Sequence, residues 1–256
     1  MKDILDVVIP CFGRPKQTFL TVEALLKANE DIRVILVHDG GMDKPDLSDL
    51  DTNRIIQLDL PHSGQPKALN TAFKLVKSEY TVIMHNDVVI NDKGWVEKAV
   101  NFLKRNKEAG MVCASGTDRI FTSETDSYVR LTTSLNRDRI VKRNLKIFHL
   151  VRPEKDFTET WRTDSMVNVF KTGIKADERY GKDLIIGISF WIDILASGLK
   201  NYVMKFNDGR HLTSASYNTE AYKKITNNET EVKKQGEFIK LRLVELGVTQ
   251  KRKMKK

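Results

Sequence analysis

Tyr80-Thr81-Val82-Ile83-Met84-His85-Asn86-Asp87 is the stretch on which the fold turns. It passes from apolar and β-branched residues into three polar ones, the last a carboxylate. A short apolar run of this kind, bounded by charge, predicts a buried strand of a parallel sheet over Tyr80–Asp87. In open α/β sheets, ligands bind beyond the carboxyl ends of the strands, which places Asp87 at the mouth of a cleft. One carboxylate and one imidazole there suit a divalent cation whose remaining ligands come from a substrate phosphate. Asp and Asn at a strand end also suit an ordinary turn, so the flanking chain has to decide.

Working outward, strand and helix alternate. Leu5–Pro10 reads as a strand, Pro15–Ala28 as a helix with proline in its first turn, and Ile32–Val37 as the second strand, ending in His38-Asp39-Gly40-Gly41. Arg54–Leu58 reads as a third strand. A helix opens at Gly64-Gln65-Pro66-Lys67 and runs through Val76. Another is carried by Trp95, Val96, Val100 and Leu103, and Gly110–Ala114 is a fifth strand. This order predicts βαβ units and a mainly parallel sheet. From about residue 116 to 164 the chain is rich in Arg, Lys, Thr and Asp, and reads as a long irregular loop or lid. Beyond it come a strand at Ser165–Phe170 and a helix from about Asp183 with Ile185, Ile188, Ile192, Leu195 and Leu199 in its core. A strand at Asn201–Phe206, a polar turn at Asn207–His211 and a charged, helix-prone segment from Thr219 to Leu246 follow. Trp161 and Trp191 read as core or loop anchors, and His38, His62 and His149 take no role.

Composition narrows the classes. The chain has 256 residues, 40% of them hydrophobic, enough for one large α/β domain or one domain with an appendage. No stretch approaches the roughly 20 apolar residues of a membrane-spanning helix, and Met1–Asp6 reads as the approach to a strand and not as a signal peptide. Cys11 and Cys113 form no metal or redox motif, so a cytoplasmic setting is expected. The net charge of +9 points to an acidic partner, although the tail Lys251–Lys256 supplies part of it.

Five segments in order resemble one family. Asp6–Pro15 resembles the first strand and loop of family-2 glycosyltransferases of the GT-A fold, and Val37-His38-Asp39-Gly40-Gly41-Met42-Asp43 their "VDDGSTD" turn. Gly64-Gln65-Pro66-Lys67-Ala68-Leu69-Asn70 resembles their "GKxxALN" helix start. His85-Asn86-Asp87 falls at their DxD metal motif, and Gly94-Trp95-Val96-Glu97 looks like the "PGWLE" after it. Asp177–Asp183 is similar to the "FDE…ED" segment that supplies the catalytic base, and His211 sits where a late histidine completes the metal site. Three positions depart from the pattern: His85 stands for the first carboxylate, Gln65 for the lysine, with Lys67 two places on, and Lys182 for the glutamate before Asp183.

The resemblance implies a mostly parallel α/β sheet flanked by helices, with a C-terminal acceptor-side portion. It divides the chain into a nucleotide-sugar half at 1–115, an acceptor and catalytic half at 116–215, and a basic helical extension at 216–256. It implies transfer of a sugar from a nucleotide-diphosphate donor to a hydroxyl acceptor, assisted by Mn²⁺ or Mg²⁺. Asp87, His85 and His211 would hold the metal. Pro10, Phe12, Arg14, Asp39, Lys67, Asn70 and Asn86 would face the donor, and Asp183, with Glu178 beside it, would serve as base. Positive charge on the acceptor side suits a polyanion, such as DNA bearing hydroxylated bases or an anionic glycan. The competing classes are a nucleotidyltransferase-like enzyme and a non-catalytic binding module. Neither a G-x-G-x-x-G fingerprint nor a Walker loop is present to favour another nucleotide fold.

Overall fold

The computed structural model describes residues 4–40, 43–117, 128–137, 147–163, 166–180, 190–212, 237 and 239–248. In chain order these form β1 (Leu5–Cys11), α1 (Pro15–Ala28), β2 (Ile32–Asp39), β3 (Ile55–Leu60), α2 (Gln65–Phe73), β4 (Tyr80–Met84), β5 (Val88–Ile90), α3 (Trp95–Arg105) and β6 (Ala109–Cys113). There follow β7 (Ser115–Thr117), β8 (Tyr128–Thr133), β9 (Asn136–Arg137), β10 (Ile147–Val151), β11 (Phe157–Thr160), β12 (Arg162–Thr163), β13 (Val167–Lys171), α4 (Phe190–Ala196), β14 (Lys200–Met204) and β15 (Gly209–His211). Residues 239–245 are helical.

The main sheet has eight strands in the order β11-β14-β6-β13-β4-β1-β2-β3. β3, β2, β1, β4, β6 and β14 run one way, while β13 and β11 run against them. The mostly parallel sheet flanked by helices is therefore present, with β13 inserted antiparallel between β4 and β6. Alternation along β1 sorts the core into two layers. Val7 and Ile9 pack with Val22 and Leu25 of α1 and with Val96 and Val100 of α3. Val8 packs on the other face with Leu69 and Ala72 of α2, Trp191 and Ile194 of α4, and Ile239 and Leu243 of the C-terminal helix. Helices thus cover both faces, and the sheet is buried as parallel sheets require.

At the end of the sheet opposite the site, Asp6 is a buried pin. Its carboxylate accepts from the Lys77 and Ser78 backbone N–H groups at 2.6 and 3.0 Å and from Arg33 at 2.7 Å. These bonds fix β1 to β2 and to the turn entering β4.

Several expectations are corrected. The fourth strand ends at Met84, not Asp87. The His85 N–H still bonds Met166 at 2.9 Å, but Asn86 turns its amide onto the β1–α1 loop, and side-chain bonds of this kind compete with the ladder. α2 stops at Phe73 because Leu75 and Val76 bond back three residues, tightening the chain out of α-helix. The segment expected to be an irregular loop, 116–164, contains six strands among its described residues. Most of them form a second sheet, β10-β8-β7-β12. The turn expected at Asn207–His211 closes into β15, which pairs antiparallel with β5 in a third sheet, β5-β15-β9. Asp183, Ile185 and Ile188 lie outside the described residues. The described part of that helix is α4, where Phe190, Trp191, Ile192 and Ile194 are buried.

Candidate active site at the carboxyl edge of the sheet

Because β1, β2, β3 and β4 are parallel, their carboxyl ends share one edge. There the chain turns through Phe12-Gly13-Arg14, through Gly40, through His62-Ser63-Gly64 and through His85-Asn86-Asp87.

Asp87 is the centre of this edge. It is 5% exposed. Its Oδ2 accepts from Arg14 Nη1 at 2.8 Å. Its Oδ1 lies 3.3 Å from His211 Nε2 yet makes no hydrogen bond, an unusual state for a buried carboxylate oxygen. Burial by itself would push this carboxyl up. His211, then His85 and Arg14, outweigh burial and hold it at about 2, so it is anionic across the ordinary pH range.

His211 arrives from 124 residues further along the chain. β15 lays it opposite Val88, and Leu212 N–H donates to the Asp87 carbonyl at 2.8 Å. Its Nδ1 is buried without a hydrogen-bond partner among the described residues. His85, Asp87 and His211 each offer a ligand atom, all within 4.8 Å of one another, a group of three that fits one metal ion. Asp87 Oδ1, buried and unbonded with His211 Nε2 3.3 Å away, is an oxygen such an ion would satisfy.

The β1–α1 loop is strained toward this cluster. Gly13 and Arg14 both have positive φ, at 68° and 63°. Arg14 is the only non-glycine residue so placed among those described, and this backbone state costs about 1 kcal/mol or more for a residue with a Cβ. The strain is held by four hydrogen bonds: Arg14 to Asp87, Thr18 Oγ1 to the Arg14 carbonyl, and Asn86 Nδ2 both to the Gly13 carbonyl at 3.2 Å and to Thr18 Oγ1 at 2.9 Å. Asn86 is thus a strut of the loop, with its amide already committed. Pro10 lies within β1 and pairs with Val37, so its place is in the strand beneath the site.

A second wall stands over β1–β3. Phe12 is 47% exposed, and its ring lies 5.1 Å from that of His62, tilted by 45°. Gly40, at φ 114°, leaves room for this pair: a Cβ there would come within 3.3 Å of His62 Cβ and 3.6 Å of Phe12 Cε2. Asp39 beneath it accepts from Ser63 N–H at 2.6 Å, Ser63 O–H at 3.0 Å and Gly64 N–H at 2.9 Å. It ties β2 to the entry of α2, where a carboxylate also faces the positive end of the helix.

Lys67 is exposed on α2. Asn70 on the same helix bonds residues of the segment 176–178. It clamps Ala176 in both directions at 2.9 Å, and donates to Glu178 Oε1 at 2.8 Å. The structure therefore gathers His85, Asp87, His211 and Arg14, sets Phe12 and Asp39 alongside, and joins Asn70 to Glu178. It leaves Asn86 and Pro10 in supporting positions. His62 and the Arg14–Asp87 pair have no sequence signal; a histidine two residues before a helix start is unremarkable until its partner is known. Cys11 and Cys113 are buried, the Cys113 thiol donating to the Tyr202 carbonyl at 3.2 Å, and burial pushes Cys11 up to about 12, so it stays protonated.

An open, mostly parallel α/β sheet with a group of three residues that could hold a metal ion at its carboxyl edge defines the class: an α/β protein whose ligand site lies beyond the strand ends. More narrowly, the chain matches the family described as glycosyl transferase family 2 over residues 6–166, and it belongs to that family. No curated protein gives a significant match to the sequence. Among solved structures, S. aureus TarS superposes with a TM-score of 0.54 at 13% identity, covering 97% of this chain and 44% of its own. TarS 1–349 in complex with UDP-GlcNAc gives 0.55 at 12% identity, with 96% and 68% covered. The mannosyltransferase PcManGT from Pyrobaculum calidifontis, in complex with GDP-Man and Mn²⁺, gives 0.55 at 11% identity, with 96% and 74% covered. At such identities the likeness speaks for the fold. The chain spans less than half the length of TarS.

Proposed function

We propose that this chain transfers a sugar from a nucleotide-diphosphate donor to a hydroxyl acceptor, with a divalent cation, Mn²⁺ or Mg²⁺, held by Asp87, His85 and His211. The observation that carries the reading is the triad itself, half-buried histidines around a buried Asp87 at the carboxyl edge of a family-2 sheet, with Asp87 Oδ1 left unbonded. The nucleotide-sugar complexes of TarS and PcManGT support it.

In this reading the donor base rests against Phe12 and His62, above Asp39, with Pro10 and Asn86 shaping the floor. Arg14 and Lys67 face the diphosphate. When bound, the cation neutralises the charge that grows on the leaving nucleotide diphosphate. Asp183, outside the described residues, is the base that takes the acceptor proton, with Glu178, held by Asn70, as the next candidate. The division into a donor half at 1–115, an acceptor half at 116–215 and an extension at 216–256 belongs to the same reading. So do an anionic acceptor, supported by the net charge of +9, and a cytoplasmic setting, supported by two cysteines that form no metal or redox motif. Among the described residues no helix is long and apolar enough to cross a membrane.

The test is donor turnover and transfer with and without chelator, in wild type, Asp183→Asn and Glu178→Gln. Asp183→Asn should lower transfer by roughly 10²–10⁴ while donor binding holds. Nucleotidyl transfer in place of sugar transfer, or binding without turnover, would favour the nucleotidyltransferase-like enzyme or the binding module instead. Duplex DNA binding that ignores salt would remove nucleic acid as acceptor.

A further inference from the structure

We propose that Asp39 is a positioning residue and does not read the donor base: it locks the turn His62-Ser63-Gly64, and the His62 ring, set against Phe12, grips the base by its flat face. This rests on the reading above that the site takes a nucleotide-diphosphate donor.

The carboxylate has its acceptor positions filled. A carboxylate offers about four, two on each oxygen. Oδ1 accepts from the Ser63 N–H at 2.6 Å and from the Ser63 O–H at 3.0 Å. Oδ2 accepts from the Gly64 N–H at 2.9 Å, and His62 Nδ1 lies 3.3 Å from the same oxygen. Asp39 is 6% exposed. A ring N–H of a base could bond it only by displacing one of these groups, and a donor left unpaired at a buried site cancels the gain.

Every one of these groups belongs to residues 62–64, which join β3 to α2. Gly64, at φ 87°, is the N-cap of α2 and has no side chain to cap with. The carboxylate from β2 holds the N-cap N–H instead, and so fixes how the turn enters the helix. His62 is held twice, since its Nδ1 also lies 3.3 Å from the Asp39 carbonyl oxygen. Its ring is thereby set 5.1 Å from that of Phe12. Phe12 is 47% exposed and the His62 side chain 44%, so two aromatic rings stand open at the carboxyl edge. Stacking on such rings accepts any base, because every base has a π-face.

Uracil carries a hydrogen on ring N3 where cytosine has a bare nitrogen, so UDP and CDP separate the two roles. A carboxylate that reads the ring N–H rejects CDP. One that only holds the turn weakens both alike when altered.

The experiment is calorimetric titration of the full chain, with MnCl₂ present, by UDP, CDP, GDP and ADP. It is repeated on Asp39→Asn, His62→Ala, His62→Phe and the double variant Asp39→Asn with His62→Ala. Wild type should bind all four nucleotides within about tenfold of one another, and His62→Ala should weaken all four by about tenfold. His62→Phe should restore most of that loss. Asp39→Asn should weaken all four by roughly threefold to tenfold, with the ratio of UDP to CDP unchanged. The double variant should bind no worse than His62→Ala, because both residues act through one ring. A wild-type preference of about a hundredfold for UDP over CDP, a change of that ratio in Asp39→Asn, or additive losses in the double variant would make Asp39 a reader of the base. Unchanged affinity in His62→Ala removes the ring from the pocket and overturns the proposal. No binding of any nucleotide by wild type overturns the donor reading itself. The wild-type ratio and the two His62 variants decide the question even if Asp39→Asn does not fold.

Discussion

At the scale of the residue, Asp87 carries the most weight. Its carboxyl is held at about 2 in the folded chain, against an unfolded value near 3.8. A depressed folded value stabilises the fold above the unfolded value and loses that contribution as pH falls through the folded one. The window is therefore about pH 4 down to about 2, and the contribution is about 2 kcal/mol. In chelator, urea midpoints for wild type should fall across that window more steeply than those of Asp87→Asn, which has no charge to lose. Parallel curves would mean that Arg14 and the two histidines do not hold the carboxylate as the geometry indicates.

Elements deliver what residues cannot. His211 reaches Asp87 only because β15 pairs with β5, and Gly209 makes that pairing close. A Cβ at Gly209 would meet Leu135 Cδ2 at 2.9 Å and Phe206 Cβ at 3.3 Å, both in buried residues. Gly209→Val should push β15 off its seat, cost about 1–3 kcal/mol, and weaken metal affinity by roughly tenfold through displacement of His211. Arg210→Ala, on the exposed side of the same strand, should alter neither quantity. Titration calorimetry and thermal melts on the pair test this; equal metal affinity in Gly209→Val would show that the triad does not depend on β15.

The whole molecule is closed by its C-terminal helix. Ile239 and Leu243 are buried against α2 and α4. Arg242 forks between Asp177 and Asp193, each at 2.5 Å, while Asp177 is bonded again by Arg179. Burial pushes the Asp193 carboxyl up against the pull of Arg242. Leu243→Ala should cost about 2–4 kcal/mol, and Arg242→Ala roughly 3 kcal/mol, because the half-buried Asp193 loses its cation while Asp177 keeps only Arg179. Both should lower a single thermal transition. A separate early transition, with the main one unmoved, would make the helix an independent appendage.

The main sheet was legible because its signals are local. β1, α1, β2 and α3 each carry a complete apolar period within a few turns, and a period of two or 3.6 commits the backbone before any long-range contact forms. Asp87 was legible as a candidate because it ends an apolar run, while Asp39 and Arg14 were candidates through the family resemblance. The short strands β7 to β12, most of them polar, were not legible. They are two to six residues long and rich in Thr and Arg, and strands that short become strands only through the partner they meet. Nor could one dimension show that Asn86 braces Gly13 and Thr18, that His62 stands against Phe12, or that Arg14 takes one oxygen of Asp87. The sequence by itself determined the parallel α/β core and the edge on which chemistry belongs, since hydrophobic burial acts on periodic patterns. Only the tertiary structure decided which polar groups meet there, because hydrogen bonds and metal ligation depend on distances between residues far apart in the chain.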